Sequence, residues 1–283
     1  MSAPDPYAAR HGFFALAGNV RSVWAVFGGL LLVELAWGFA GALYAPLSLD
    51  GIDGAGETAF ALSIFFVIAA ATVAVVRRMQ DRDPATLLGP PHAALGDFIR
   101  VARAILILTA VLLALPGSWE GMSQARSVPS WIVLLPVACA CVLVQTGAEE
   151  LLYRGYLQQS LGALKDRPAL WMVLPSVLFG LSHYAPGLPA DVALAHIIWA
   201  TAFGLAAADL TARSGSLGAA TGFHFAHNLP LVALASTPGD LSGLSLFHFD
   251  THWSEEPQTA IGLGFDLFHL WMIWMAARIA IRR

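Results

Sequence analysis

Polar side chains with the means to do proton chemistry interrupt an otherwise apolar sequence at three places. The first is Gly147-Ala148-Glu149-Glu150-Leu151-Leu152-Tyr153-Arg154-Gly155, which follows the apolar stretch from Trp131 to Val144. Adjacent carboxylates on a helix point about 100° apart, so Glu149 and Glu150 have different surroundings and different work. Glu150 and Arg154 are spaced i,i+4 with the acid first, the better order for an intrahelical ion pair. Glu149 has no such partner and is the freer acid, available as a general base or acid. The second place, Phe179-Gly180-Leu181-Ser182-His183, adds an imidazole. The third is Phe223-His224-Phe225-Ala226-His227-Asn228, where His224 and Asn228 share a helix face and His227 lies partly round the cylinder. An imidazole beside a carboxamide suits a developing oxyanion, and equally a metal or a substrate carbonyl.

Other polar residues carry weaker readings. His196 reads as a satisfied interhelical hydrogen bond. Glu34, Asp266 and His269 fall in the first and last apolar segments, where a tertiary contact or a lipid-interface position is expected. His248 and His252 have a metal-like spacing but no further ligand set around them. Cys139 and Cys141 sit in an apolar run as small buried residues and make no disulfide framework.

The elements that hold these residues follow from composition. Of the 283 residues, 57% are hydrophobic and only 12% charged, against roughly 25% charged in an average soluble domain. Mean hydropathy is +0.67. These values exclude a secreted disulfide scaffold, a nucleic-acid binder and a disordered linker, and the net charge of −4 is too small to argue for a polyanionic partner. Runs of about 20 apolar residues predict an all-α polytopic membrane protein with about eight spans. They lie near 24–45, 58–76, 98–115, 131–163, 169–185, 190–210, 216–236 and 258–281. The fourth is long enough to cross the bilayer and project beyond it, ending at the polar hairpin Lys165, Asp166, Arg167. The first 20 residues carry only the short apolar stretch Phe13 to Ala17, so no cleavable signal peptide is expected.

Charge orients the bundle. With the N-terminus cytoplasmic, 14 of the 15 Lys and Arg fall on the cytoplasmic side and only Arg126 falls outside. The opposite loops carry Asp50, Asp53, Glu57, Glu120, Asp191, Asp240, Asp250, Glu255 and Glu256. Both termini are then cytoplasmic. Glu149 and His183 are each 17 residues from Asp166, which sets them level on an antiparallel hairpin if its helices are regular. Helical rise places Glu149 about 25 Å from that turn but His224 only about 14 Å from a turn near Gly215. Meeting would require the Lys165 hairpin to protrude roughly 10 Å further, with a water-bearing cavity opening to the cytoplasmic side.

At these residues the sequence strongly resembles the CPBP family of intramembrane proteases, the CAAX prenyl endopeptidases and bacteriocin-processing or Abi proteins. The family motif Glu-Glu-x-x-x-Arg matches Glu149, Glu150 and Arg154, followed by Gly155. Phe-x-x-x-His matches Phe179 and His183, and His-x-x-x-Asn matches His224 and Asn228. The resemblance covers about 130–235. It divides the chain into motif-free spans at 1–125, a CPBP/Abi-like catalytic core at 126–237, and an outer loop with the last span at 238–283.

The resemblance implies an endopeptidase acting on membrane-associated peptides or proteins. By analogy, Glu149 with His183 activates a water, His224 with Asn228 stabilises the oxyanion, and Glu150 with Arg154 supports the first carboxylate. The family is often labelled metalloprotease, and Glu149, His183 and His224 are the residues that could hold a divalent metal such as zinc. No His-Glu-x-x-His helix is present, and direct water activation by glutamate, with no cofactor required, is the favoured expectation. Intramembrane Glu and His also build proton relays, so a proton-coupled transporter competes, although no internal repeat supports it. A non-catalytic immunity or partner membrane protein is the third reading. One Lys against 14 Arg, in an Ala-rich chain, fits a bacterial cell membrane.

Overall fold

In lipid, a backbone that cannot reach water must bond to itself, and a continuous helix does this within one segment. The computed structural model describes residues 5–44, 54–239, 241–250 and 260–282. The elements run α1 Ala9–Ala15, α2 Val23–Tyr44, α3 Gly54–Ser63, α4 Phe66–Met79, α5 Pro91–Leu113 and α6 Val128–Glu150. A π-helix, Leu151–Gln158, joins α6 to α7, Gln159–Leu164; a second π-helix, Ala169–Val173, leads into α8, Leu174–Ser182. The chain continues through α9 Ala190–Ser214, α10 Gly218–Ala233 and α11 Ala260–Ile281. The protein is an all-α polytopic membrane bundle with helices at each of the eight expected places.

Five stretches are long and apolar enough to cross a membrane: Val23–Tyr44, Gly54–Met79, Val128–Leu164, Ala190–Ser214 and Ile261–Ile281. The other three places hold helices that are shorter or more polar. Ala169–Ser182 is a shorter apolar helix. Asp97, Arg100 and Arg103 interrupt α5, and α10 has only 16 residues. The second expected span is divided between α3 and α4, where the Ser63 hydroxyl donates to the Phe60 carbonyl at 2.7 Å and competes with the helical ladder.

Small residues set the closest helix contacts. A Cβ on Gly218 would overlap the Ala94 carbonyl, and one on Gly222 would stand 2.6 Å from the Phe98 carbonyl oxygen. This Gly-x-x-x-Gly face therefore lets α10 lie against α5. Gly180 and Gly204 do the same between α8 and α9, against Thr201 and Ser176 respectively.

The two ends of the bundle differ. At the first, the Arg10 guanidinium bonds Asp166 of the Lys165 hairpin through Nη2 at 2.8 Å, and Phe13 and Phe14 of α1 pack with Trp171. Gln159 Nε2 donates to the carbonyls of Phe13 and Thr86, both at 2.9 Å. The turn after α9 meets the loop before α5, where Leu217 N–H donates to Leu88 O at 3.0 Å. We refer to this as the basic end. At the other end, β1 Met122–Gln124, β2 Ala235–Ser236 and β3 Phe247–Phe249 form a three-stranded sheet of order β1-β3-β2. β1 pairs antiparallel and β2 parallel to β3. Arg126 Nη2 donates to Gly243 O at this sheet end, and Gly243 N–H donates to Thr58 Oγ1 at 3.0 Å.

Candidate active site

The last turns of α6 carry a polar ridge. Thr146, Ala148, Glu149 and Glu150 are all buried, and the helix passes directly into the π-helix that holds Arg154. A π segment inserts residues into the helical ladder, a device often found at functional sites. Arg154 Nη1 donates to Glu150 Oε1 at 3.0 Å, the pair read from the i,i+4 spacing, and Nη2 reaches the Gly204 carbonyl on α9 at 3.1 Å.

Glu150 has a second partner that spacing did not reveal. Its Oε1 lies 2.8 Å from His224 Nδ1 on α10. A carboxylate accepts, so Nδ1 carries the hydrogen, and the opposite nitrogen, Nε2, faces Glu149 Oε2 at 3.5 Å. Glu149 Oε2 also accepts from Gln145 Nε2 at 3.2 Å, and Gln145 Oε1 accepts from Asn228 Nδ2 at 3.1 Å. A continuous polar line therefore runs Asn228, Gln145, Glu149, His224, Glu150, Arg154. Gln145 was missed by sequence reasoning. Its signal was a polar residue one turn before Glu149 in an apolar run.

His183 sits at the C-terminal cap of α8 with φ −91° and ψ 9°, in the sparsely populated bridge region where active-site residues recur. Its Nδ1 is 2.8 Å from the Phe179 carbonyl oxygen, which makes Nδ1 the donor and leaves Nε2 as the acceptor of a neutral ring. Phe179 is the packing centre of the motifs. Its ring lies 4.5 Å from the His183 ring and 6.0 Å from that of His224, with the Arg154 guanidinium 4.7 Å from its centroid.

A cavity of about 660 Å³ opens beside this line. Gln145, His183, His224 and Asn228 are in its wall, and His227 is too, 5.1 Å from the Trp199 ring. His196, Asp266 and His269 line the same cavity, and the His269 ring lies 6.2 Å from that of His227, a tertiary contact of the expected kind. Glu34 is exposed on α2 and does not line it. His248 lies on β3 with Nε2 3.3 Å from the Ser242 carbonyl, while His252 falls outside the described residues.

The expected opening at the basic end is corrected. The cavity continues through Ala235, Ser236, Thr237, Leu241 and Phe249, all at the sheet end. The basic end is closed: Arg10 ties the Lys165 hairpin to α1, and Arg154, Gln158 and Gln159 are buried between that hairpin and the site. Among the described residues, no three His, Cys, Asp or Glu side chains stand together so as to hold one metal ion, and His224 already presents its nitrogens to Glu150 and Glu149.

Comparison with known proteins agrees with the motif reading. Residues 128–230 match the family of Rce1-like proteins, described as type II CAAX prenyl endopeptidase Rce1-like. That segment contains Glu149, Glu150, Arg154, His183, His224 and Asn228. The chain is also 32% identical over 154 residues to the uncharacterized protein YyaK of Bacillus subtilis (strain 168). The match takes in 52% of this chain and 51% of YyaK, so about half the length of that curated relative is spanned.

Proposed function

We propose that this chain is an intramembrane endopeptidase in which Glu149 takes the proton of an attacking water. The supporting observation is the line from Asn228 to Arg154 at the wall of a cavity enclosed by helices. With Nδ1–H of His224 held by Glu150, one further proton is shared between Glu149 and His224 Nε2. When His224 holds it, Glu149 is a carboxylate base and Nε2–H is a donor. Water held at His183 Nε2 then attacks the peptide carbonyl carbon as its proton passes to Glu149. The carbonyl oxygen becomes an oxyanion, stabilised by donors from His224 and Asn228. Glu149 next delivers the proton to the amide nitrogen as the C–N bond breaks. Glu150 and Arg154 are positioning residues, acting through the His224 ring.

The catalytic machinery is assigned to 126–237. The substrate class is a membrane-associated peptide or protein, of CAAX-type or bacteriocin-related processing, and the setting is a bacterial cell membrane. The test uses the full chain in liposomes with a quenched membrane-anchored peptide. Glu149→Gln should lower cleavage by about 10²–10⁴-fold, the usual worth of a general base, while thermal unfolding stays unchanged. Cleavage at the wild-type rate would remove Glu149 from this role. A strong zinc chelator should leave the wild-type rate unchanged; abolition restored by added zinc would replace glutamate-activated water with metal chemistry.

A further inference from the structure

We propose that the cavity takes its substrate from the membrane face opposite the basic residues, so that the bonds it cuts lie in segments displayed on the extracytoplasmic side. The proposal rests on the protease reading and adds the side of entry and the substrate class.

Two independent observations meet here. The first is where the cavity goes. From the polar line it extends past Leu62, Ala195, His196, Leu231 and Leu263 to Ser236, Thr237, Leu241 and Phe249 of the sheet end. The opposite end is closed. Arg154, Gln158 and Gln159 are fully buried below the site, followed by Phe13, Phe14 and Trp171. Gln159 ties α7 to α1 and to the loop before α5, and Arg82 in turn donates to Gln159 Oε1 and to Gln80. No residue of this floor lines the cavity.

The second observation is charge. Arg10, Arg77, Arg78, Arg82, Lys165, Arg167 and Arg213 belong to the closed end, together with Arg278 in the last turn of α11. Short loops rich in Lys and Arg stay cytoplasmic. The sheet end has Arg126, bonded to Gly243, with exposed Glu120, Asp191 and Asp250. The open end of the cavity is thereby assigned to the outer face.

The chemistry of the wall narrows the substrate further. Among the described residues it contains Asp266 and no Lys or Arg, so no permanently charged cation stands there for a chain-terminal carboxylate. A neutral or basic peptide segment emerging from the outer leaflet fits this wall better than an anionic tail.

The side of entry can be read without any cleavage assay. Thr237→Cys and Lys165→Cys are made separately in a chain carrying Cys139→Ala and Cys141→Ala, with Leu241→Cys as a second cavity probe. A membrane-impermeant maleimide should label Thr237→Cys or Leu241→Cys in spheroplasts and Lys165→Cys only in inverted vesicles. The reverse pattern would overturn the proposal while leaving the catalytic reading intact. In the spheroplasts, labelling at Thr237→Cys should also block cleavage of an outward-facing peptide; full cleavage after complete labelling would equally overturn it. The Glu149→Gln assay tests catalysis separately.

Discussion

Two glutamines of the same long helix show how differently the ends of the bundle use a polar side chain. Gln159 is fully buried at the basic end and donates to two backbone carbonyls, those of Phe13 and Thr86. Gln145 lies on the cavity wall, and its partners are side chains, Glu149 and Asn228. Both carbonyls also accept backbone N–H groups, from Leu16 and Gly89, so Gln159 clamps together segments that are already paired. Carboxylate and carboxamide partners can exchange protons and hydrogen bonds with a substrate. The contrast separates polar residues that hold the fold from polar residues that face its working space. Glu150 joins the two, since it is completely buried with Arg154 yet touches His224.

The largest expected effect is therefore at that junction. Glu150→Ala leaves Arg154 buried without its carboxylate and should cost about 3–5 kcal/mol of stability, measured by thermal unfolding in detergent. It also frees the His224 ring, so cleavage should fall even at temperatures where the variant is folded. An active Glu150→Ala protein would break the link between positioning and chemistry. The next test exchanges the glutamines. Gln145→Ala should reduce cleavage about tenfold, the worth of roughly 1.4 kcal/mol of hydrogen bonding, with little change in unfolding temperature. Gln159→Ala should do the opposite, lowering stability by about 1–3 kcal/mol for the buried hydrogen bonds lost, one of them to a charged group, while the folded protein cleaves normally. Matching effects from both variants would dissolve the comparison.

The smallest effect is at the surface of the basic end. Hydrogen bonding from Arg10 holds the Asp166 carboxyl below its ordinary value of 3.8. A carboxylate lowered in the folded state contributes stability above its unfolded value and loses it as pH falls through the lower, folded one. Acid below about pH 4 should thus loosen the contact between α1 and the hairpin. Asp166 is 38% exposed, so screening limits the contribution to less than about 1 kcal/mol. Protease nicking within α1 below that pH, unchanged by Arg10→Ala, would show that this ion pair does not close the end.

Much of this arrangement was legible in the sequence. Length and hydropathy located the helices, including the long one, expected near 131–163 and found as a continuous stretch at Val128–Leu164. The i,i+4 spacing of Glu150 and Arg154 gave their ion pair directly. What stayed hidden depends on tertiary contact. The Glu150–His224 bond joins residues 74 apart in sequence, and no periodicity reports it. The π segments leave no pattern distinct from an α-helix, so counting residues from Asp166 does not register them. The sheet was equally silent, because strands of two or three residues are too short to show alternation.

In the proposed mechanism Glu149 and His224 share one proton and act as a unit. Its most direct test is cleavage by Glu149→Gln, by His224→Ala and by the double variant, each reconstituted and shown to be folded. Groups that act together lose their effect together, so the double variant should cleave no more slowly than the worse single one. Losses that multiply, or wild-type cleavage by either single variant, would contradict it.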